Sequence, residues 1–375
     1  MKHVLPLTLL FAACGEPTPP GQMSEKPPAP ATTAESTKSG GKALNGAGAS
    51  FPYPLLSKWS AVYHDDKGVQ INYQSIGSGG GQKAILDKTV AFAGSDAPLP
   101  QDKWDLAQAD GGIVHVPETL GAVVPVVHLP GVESLRLTGP VLAGIYRGTV
   151  TKWNDPAIAG LNPGIALPDH DIVVAHRSDG SGTTYVFTGY LAKVDPEWAS
   201  AVGRDTSVNW PVGVGGKGNE GVSGVVSGNE DAIGYVELAY AALNHLQMVQ
   251  LQNHDGNWVS PTMEGVSAAA AAAPDLPAGP ASWTAVDITD EPGAQTWPIA
   301  SFTYLLFYQD MGKAQGKRLS REDAEATLRF AWWAVHDGQQ YGPALQYPAL
   351  PAAVVTLDEQ TLKGITWNGE PLLKD

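Results

Sequence analysis

Cysteine is almost missing from this sequence: of 375 residues only Cys14 is one, which excludes an intramolecular disulfide. Positive charge is scarce too, with 23 Lys and Arg against 38 Asp and Glu and a formal charge of −15. General nucleic-acid binding needs a basic footprint, so that class is set aside. Long apolar runs are absent, and the alanines of 268–273 lie between polar and proline-rich flanks; no stretch is expected to span a bilayer as a helix. Catalytic signatures are missing as well. No G-x-S-x-G elbow or H-E-x-x-H occurs, and Lys217 lacks the Ser or Thr that follows a P-loop lysine. The histidines His115, His128, His170, His176, His245 and His254 are scattered, so no metal site is expected.

What is present describes an exported globular protein. Hydrophobic content of 43% and charged content of 16% fit a packed core, and the length allows two domains. The 43 glycines and 30 prolines imply many turns. Met1-Lys2-His3 is a short basic start, and Val4 to Ala13 is an apolar run that suits a signal-peptide core. Residues 1–13 are therefore expected to be a signal peptide. Leu10-Phe11-Ala12-Ala13-Cys14 resembles the lipobox of bacterial lipoproteins, with Phe11 departing from the usual aliphatic residue. That resemblance implies a lipidated Cys14 and a membrane anchor. Residues 14–42, rich in Pro, Ser and Thr, are expected to be a tether of about 30 Å r.m.s. span.

From Ala43 onward, strand-like and helix-like stretches alternate, which predicts an α/β fold with mostly parallel sheets. Expected strands include Val69–Tyr73, Gly121–Leu129, Ile172–Ala175 and Phe302–Tyr308. Expected helices open at Gly80 and Thr183, and a third runs from Arg321 to Val335. Four turns rich in Gly or Ser fall between such elements: Gly46 to Pro52, Ile76 to Gly81, Ala93 to Pro98 and His176 to Thr184. Helix N-termini offer unpaired N–H groups and partial positive charge, and glycine lets the backbone approach an anion closely. Ser50, Ser78, Ser181 and Thr183 add hydroxyls. Arg177 adds a planar fork for two oxygens of a tetrahedral anion, with Asp179 placed to hold it. The segment 213–218 formally matches G-x-G-x-x-G but is read as a loop.

Asp96 is the odd member of this set. A carboxylate repels an anion unless the anion carries a proton to donate, as hydrogen phosphate does and sulfate does not. Two buried acceptors left facing each other cost at least ~1–3 kcal/mol, so Asp96 selects phosphate over sulfate.

The segments G-A-G-A-S-F-P, Y-Q-S-I-G-S-G-G-G, G-S-D-A-P, R-S-D-G-S-G-T-T-Y-V-F, W-P-V-G-V-G-G-K-G-N-E-G and A-I-G-Y-V-E, in that order, resemble the phosphate-binding proteins of bacterial ABC importers. The resemblance implies a two-lobed periplasmic-binding-protein fold of type II with two hinge crossovers. It places phosphate on Ser50, Phe51, Ser78, Asp96, Arg177, Ser181, Gly182 and Thr183, with Asp179 as partner of the arginine. Ser50 stands where threonine is common, and Gly79 where a second serine is common. The expected lobes are 43–117 with 297–375, and 118–296. The implied partners are inorganic phosphate and a membrane-embedded permease with its ATPase. A periplasmic or extracytoplasmic monomer without cofactor is expected, and not an enzyme. A binder of arsenate or sulfate, an extracytoplasmic phosphatase and a sugar binder are the alternatives.

Overall fold

The computed structural model describes residues 43–373 except Pro274, so the leader, Cys14 and the tether lie outside the described residues. Nine strands share one sheet: β1 (Ala43–Gly48), β2 (Gln70–Ser75), β3 (Phe92–Ser95), β4 (Ile113–His128), β5 (Val173–Arg177), β6 (Val214–Gly216), β7 (Ala232–Glu237), β8 (Gln247–Met248) and β9 (Ala300–Tyr308). Their order is β2-β1-β3-β9-β4-β7-β5-β6, with β8 also on β4. Pairing is parallel toward both ends, within β2-β1-β3 and within β7-β5-β6. It is antiparallel in the middle, where β9 and β4 run.

Strand β4 is the spine. Most of its residues are apolar, and it is buried almost throughout, as befits a strand covered on two sides; His115, Glu118 and Thr119 are buried polar exceptions. It changes partner along its length. Ile113 to Ala122 pair with β9, and Val123 to His128 pair with β7. One long strand thus belongs to two sheet arrays, and β9 runs beside it.

The helices that bear on the site are α1 (Tyr53–Lys67), α2 (Ser78–Leu86), α3 (Gly182–Val194), α4 (Gly218–Gly228), α5 (Met263–Ala271) and α6 (Arg321–Val335). Helix α1 ends at Gly68 in the left-handed region, where glycine carries no Cβ penalty. Helix α6 begins at the Ser320 cap, whose hydroxyl oxygen accepts from the Asp323 N–H. Helix α2 seats directly on the sheet because Gly81 is small: a Cβ there would lie 2.5 Å from the Gly48 Cα.

The tryptophans pack rather than line a groove. Trp59, Trp153, Trp198, Trp283 and Trp297 are fully buried. Trp59 Nε1–H donates to the Gly338 carbonyl at 2.7 Å, and Trp297 Nε1–H to the Val123 carbonyl at 3.1 Å. The alanine-rich stretch begins at Ala268, in the second half of α5, with Ala269 and Ala270 buried. No helix among the described residues is long and apolar enough to cross a membrane.

One sequence expectation fails. Residues 213–218 are not a loop: Val214 to Gly216 pair in register with Ala175 to Arg177, and helix α4 starts at Gly218. Three residues with two glycines have little strand propensity of their own; the pairing with β5 supplies it.

Candidate anion-binding site

Four helix starts converge where the two sheet arrays meet. Ser50 and Phe51 precede α1, Ser78 opens α2, Ser181 caps α3, and Asn219 lies in the first turn of α4. All nine residues named from the sequence, Asp179 included, come together here. Ser50, Ser78, Asp96, Arg177, Ser181 and Thr183 are buried. The arrays touch across the seam: the Gly79 N–H donates to the Gly180 carbonyl at 2.8 Å.

Asn219 organises two of the hydroxyls. Its Nδ2 donates to Ser50 Oγ at 2.9 Å and to Thr183 Oγ1 at 3.2 Å, while its backbone N–H donates to Ser50 Oγ at 3.2 Å. Arg177 Nη1 donates to Thr183 Oγ1 at 3.2 Å. The Asn219 Oδ1 accepts from the Glu237 N–H at 2.9 Å, which fixes which end of the amide faces the hydroxyls. Each hydroxyl oxygen therefore accepts two hydrogen bonds and keeps one proton to give. Ser50 and Thr183 are prepared as donors.

Arg177 is held by Asp179 in a bidentate pair, Nε to Oδ1 at 2.8 Å and Nη2 to Oδ2 at 2.7 Å. With Nη1 on Thr183, three of the five guanidinium N–H groups are used, which leaves one on each terminal nitrogen. Burial works against the guanidinium charge, and Asp179 overcomes it, keeping Arg177 above its ordinary pKa. Burial likewise opposes the Asp179 carboxylate, but Arg177 and the Gly218 N–H hold it below the usual range. The pair is electrically neutral as a unit, so the pocket attracts an anion through local dipoles more than through net charge.

Backbone donors complete the cage. The Ser181 hydroxyl oxygen caps α3 by accepting from the Thr184 N–H at 3.0 Å. Gly182 and Thr183 occupy the first two helical positions, where N–H groups have no carbonyl within the helix to meet. Gly182 has to be glycine, because a Cβ would lie 2.4 Å from Ser78 Oγ and 2.5 Å from Asp96 Oδ2.

Asp96 faces this cage of donors. Its backbone N–H donates to Ser78 Oγ at 3.1 Å, and Ser78 Oγ donates back to Asp96 Oδ2 at 3.3 Å. Thr303 Oγ1 donates to Asp96 Oδ1 at 3.0 Å. Burial, only partly offset by Thr303, Arg177 and Ser78, pushes the Asp96 carboxyl up to about 7. Near neutral pH it therefore accepts or supplies a proton with little cost.

Asn219, Thr303, Glu118, Glu237 and Tyr240 were not singled out from the sequence. Tyr240 donates to the Ser50 carbonyl at 2.8 Å. Asn219 stood in a quoted segment, W-P-V-G-V-G-G-K-G-N-E-G, but nothing local marks its side chain. Glu237 likewise closes the quoted segment A-I-G-Y-V-E, and Thr303, Glu118 and Tyr240 come from strands or helices whose sequences look like ordinary core.

Comparison with known proteins shows the family and the fold. The model of the PBP superfamily domain matches residues 28–337. The phosphate-binding protein PstS of Xylella fastidiosa strain 9a5c is 47% identical over 330 residues, covering 86% of this chain and 85% of that protein. The phosphate-binding protein PstS of Haemophilus influenzae strain Rd is 44% identical over 322 residues, covering 84% and 90%. A crystal structure of a phosphate binding protein from Stenotrophomonas maltophilia shares the fold, with a TM-score of 0.63 at 20% identity over 84% of this chain and 92% of that one. With its mixed α/β fold of periplasmic-binding-protein type II, the chain belongs to the PBP superfamily and, within it, to the PstS phosphate-binding proteins.

Proposed function

We propose that this protein captures inorganic phosphate outside the cytoplasm and hands it to an ABC importer. The observation that carries this reading is Asp96, a buried carboxyl set opposite hydroxyl, guanidinium and helix-start donors. Such a pocket fits a tetrahedral anion that brings a proton. Between the anion and Asp96 there is then one proton for two oxygens, whether the anion or Asp96 held it first. Sulfate leaves that contact without a proton once Asp96 is ionised, above its pKa of about 7. Arsenate shares both shape and protonation with phosphate and is expected to enter.

Ser50, Phe51, Ser78 and Asp96 would bind from a lobe of 43–117 with 297–375, and Arg177, Ser181, Gly182 and Thr183 from a lobe of 118–296. Phosphate bridging the two makes binding and closure one event. Supporting contacts across that divide are Gly79 to Gly180 and Asn219 to Ser50. The rest of the reading follows from the sequence: a monomer held at the membrane through lipidated Cys14, working as a carrier and not as an enzyme. The test is isothermal titration of the chain, stripped of bound anion, with phosphate and then sulfate at pH 7.5. Tight one-to-one phosphate binding with no sulfate heat is expected; equal responses to both would overturn the role of Asp96.

A further inference from the structure

Three carboxyls are buried at the seam: Asp96, Glu118 and Glu237. Glu237 accepts on Oε2 from the Ala239 N–H at 2.7 Å and lies 2.9 Å from the Tyr347 hydroxyl, while its Oε1 has no partner among the described residues. Glu118 has fewer contacts still. It lies on β4, is 0% exposed, and its Oε2 has no hydrogen-bond partner among the described residues. Its Oε1 lies 3.4 Å from Thr303 Oγ1, the same hydroxyl that lies 3.0 Å from Asp96 Oδ1.

A threonine hydroxyl has one proton to give. The shorter contact assigns it to Asp96. The contact with Glu118 is then a hydrogen bond only if Glu118 donates, and a carboxyl donates only when it is protonated. We propose that Glu118 is a positioning residue for anion recognition: as a neutral acid it donates to Thr303, which turns the Thr303 hydroxyl onto Asp96 and holds Asp96 as the acceptor for the proton of the bound anion. This rests on the phosphate reading of the site.

No other donor is bonded to the Glu118 carboxyl among the described residues. Tyr73, from β2, gives its hydroxyl proton to the Ala49 carbonyl at 3.0 Å. Gln339 reaches Glu118 only at its backbone carbonyl, at 2.9 Å. His115, on the same strand, accepts at Nε2 from the Leu99 N–H and is lowered by burial to about 3, so it is neutral with its proton on Nδ1, which makes no hydrogen bond to Glu118. Arg177 makes its hydrogen bonds to Asp179 and Thr183 and none to Glu118 among the described residues. Glu237 and Tyr347 face each other. Burial first, and the neighbouring Asp96 charge second, raise Glu118 to about 8. The relay is therefore complete at neutral pH and fails in alkali, where Glu118 ionises and turns from donor to acceptor.

The test compares the full chain with Glu118→Gln and Glu118→Leu, using inorganic phosphate from pH 6 to 9.5. Leucine cannot donate, and at pH 7 it should weaken phosphate binding about tenfold or more; glutamine keeps a donor and should recover most of that loss. Between pH 7 and 9.5 the original chain should lose about tenfold in affinity beyond what Glu118→Gln loses. A glutamine variant that follows the same alkaline limb, or one as weak as leucine at pH 7, would overturn the proposal. Infrared difference spectra between the original chain and Glu118→Gln give a reading independent of phosphate. They should show a protonated carboxyl band at pH 7 that disappears above pH 9, and its absence at pH 7 would also overturn the proposal. If no chain binds phosphate while the band is present, the phosphate reading fails and the protonation of Glu118 stands.

Discussion

Asn219 shows how much one side chain can decide at this site. Its amide spends both donors on Ser50 and Thr183, so those hydroxyls have protons free for an anion. Asn219→Asp would reverse the pattern, drawing both hydroxyls onto the new carboxylate and adding a charge. Phosphate affinity should fall at least ~100-fold by titration calorimetry, since two donors are lost and a buried like charge is gained. Asp96 makes the opposite kind of prediction. Below its pKa of about 7 it becomes a donor, so discrimination against sulfate should weaken as pH drops from 8 to 5.5, and Asp96→Asn should weaken it at every pH. Competition titrations with the two anions read this directly. Glu118 also enters stability. Its folded pKa of about 8 exceeds the ordinary 4.5, so from about pH 4.5 to about 8 the folded chain keeps a proton that the unfolded chain has released. That contribution is full in acid and lost as pH rises through about 8. Thermal unfolding of the ligand-free protein should shift downward between pH 5 and 8.5, and less steeply in Glu118→Gln. Ser50, Ser78, Arg177 and Asp179 were legible because glycine-rich turns announce them. Asn219, Thr303 and Glu118 were not, because their roles arise from contacts between residues far apart in the chain.

At the scale of elements, the site is a meeting of helix starts on strand ends, and that much was readable. The spacing of apolar residues gave α6 to the residue, and the Val-rich run gave the second half of β4. The start of β4 at Ile113 was missed, because Pro117 and Glu118 interrupt the apolar run although both are buried in the sheet. The short glycine-bearing β6 was missed for a related reason, its order coming from β5 and not from its own residues. Helix α3 offers a test at this level. Gly182→Ala keeps the helix start but places a methyl group against Ser78 and Asp96 across the seam. Binding should fall by ~100-fold or more with little change in the melting temperature of the ligand-free protein, as calorimetry of both would show.

Over the whole molecule, attraction and repulsion act at different ranges. The net charge of −15 repels an approaching anion, while the donors that hold it act only at contact. Salt screens the first and barely touches the second. Stopped-flow measurements should find phosphate association faster at 0.15 M salt than at 0.01 M, with dissociation nearly unchanged. The α/β class was legible from the alternation of elements. That a single strand, β4, serves both arrays was not, since nothing in the sequence marks the change of partner between Ala122 and Val123.

The bond from the Gly79 amide to the Gly180 carbonyl joins the two sides of the seam and belongs to no helix or strand ladder. Whenever the sides part, that amide meets water; whenever they are together, it is shielded. Its deuterium uptake therefore counts openings in the unliganded protein, one amide serving as a clock for the cleft without a dye, a label or a ligand.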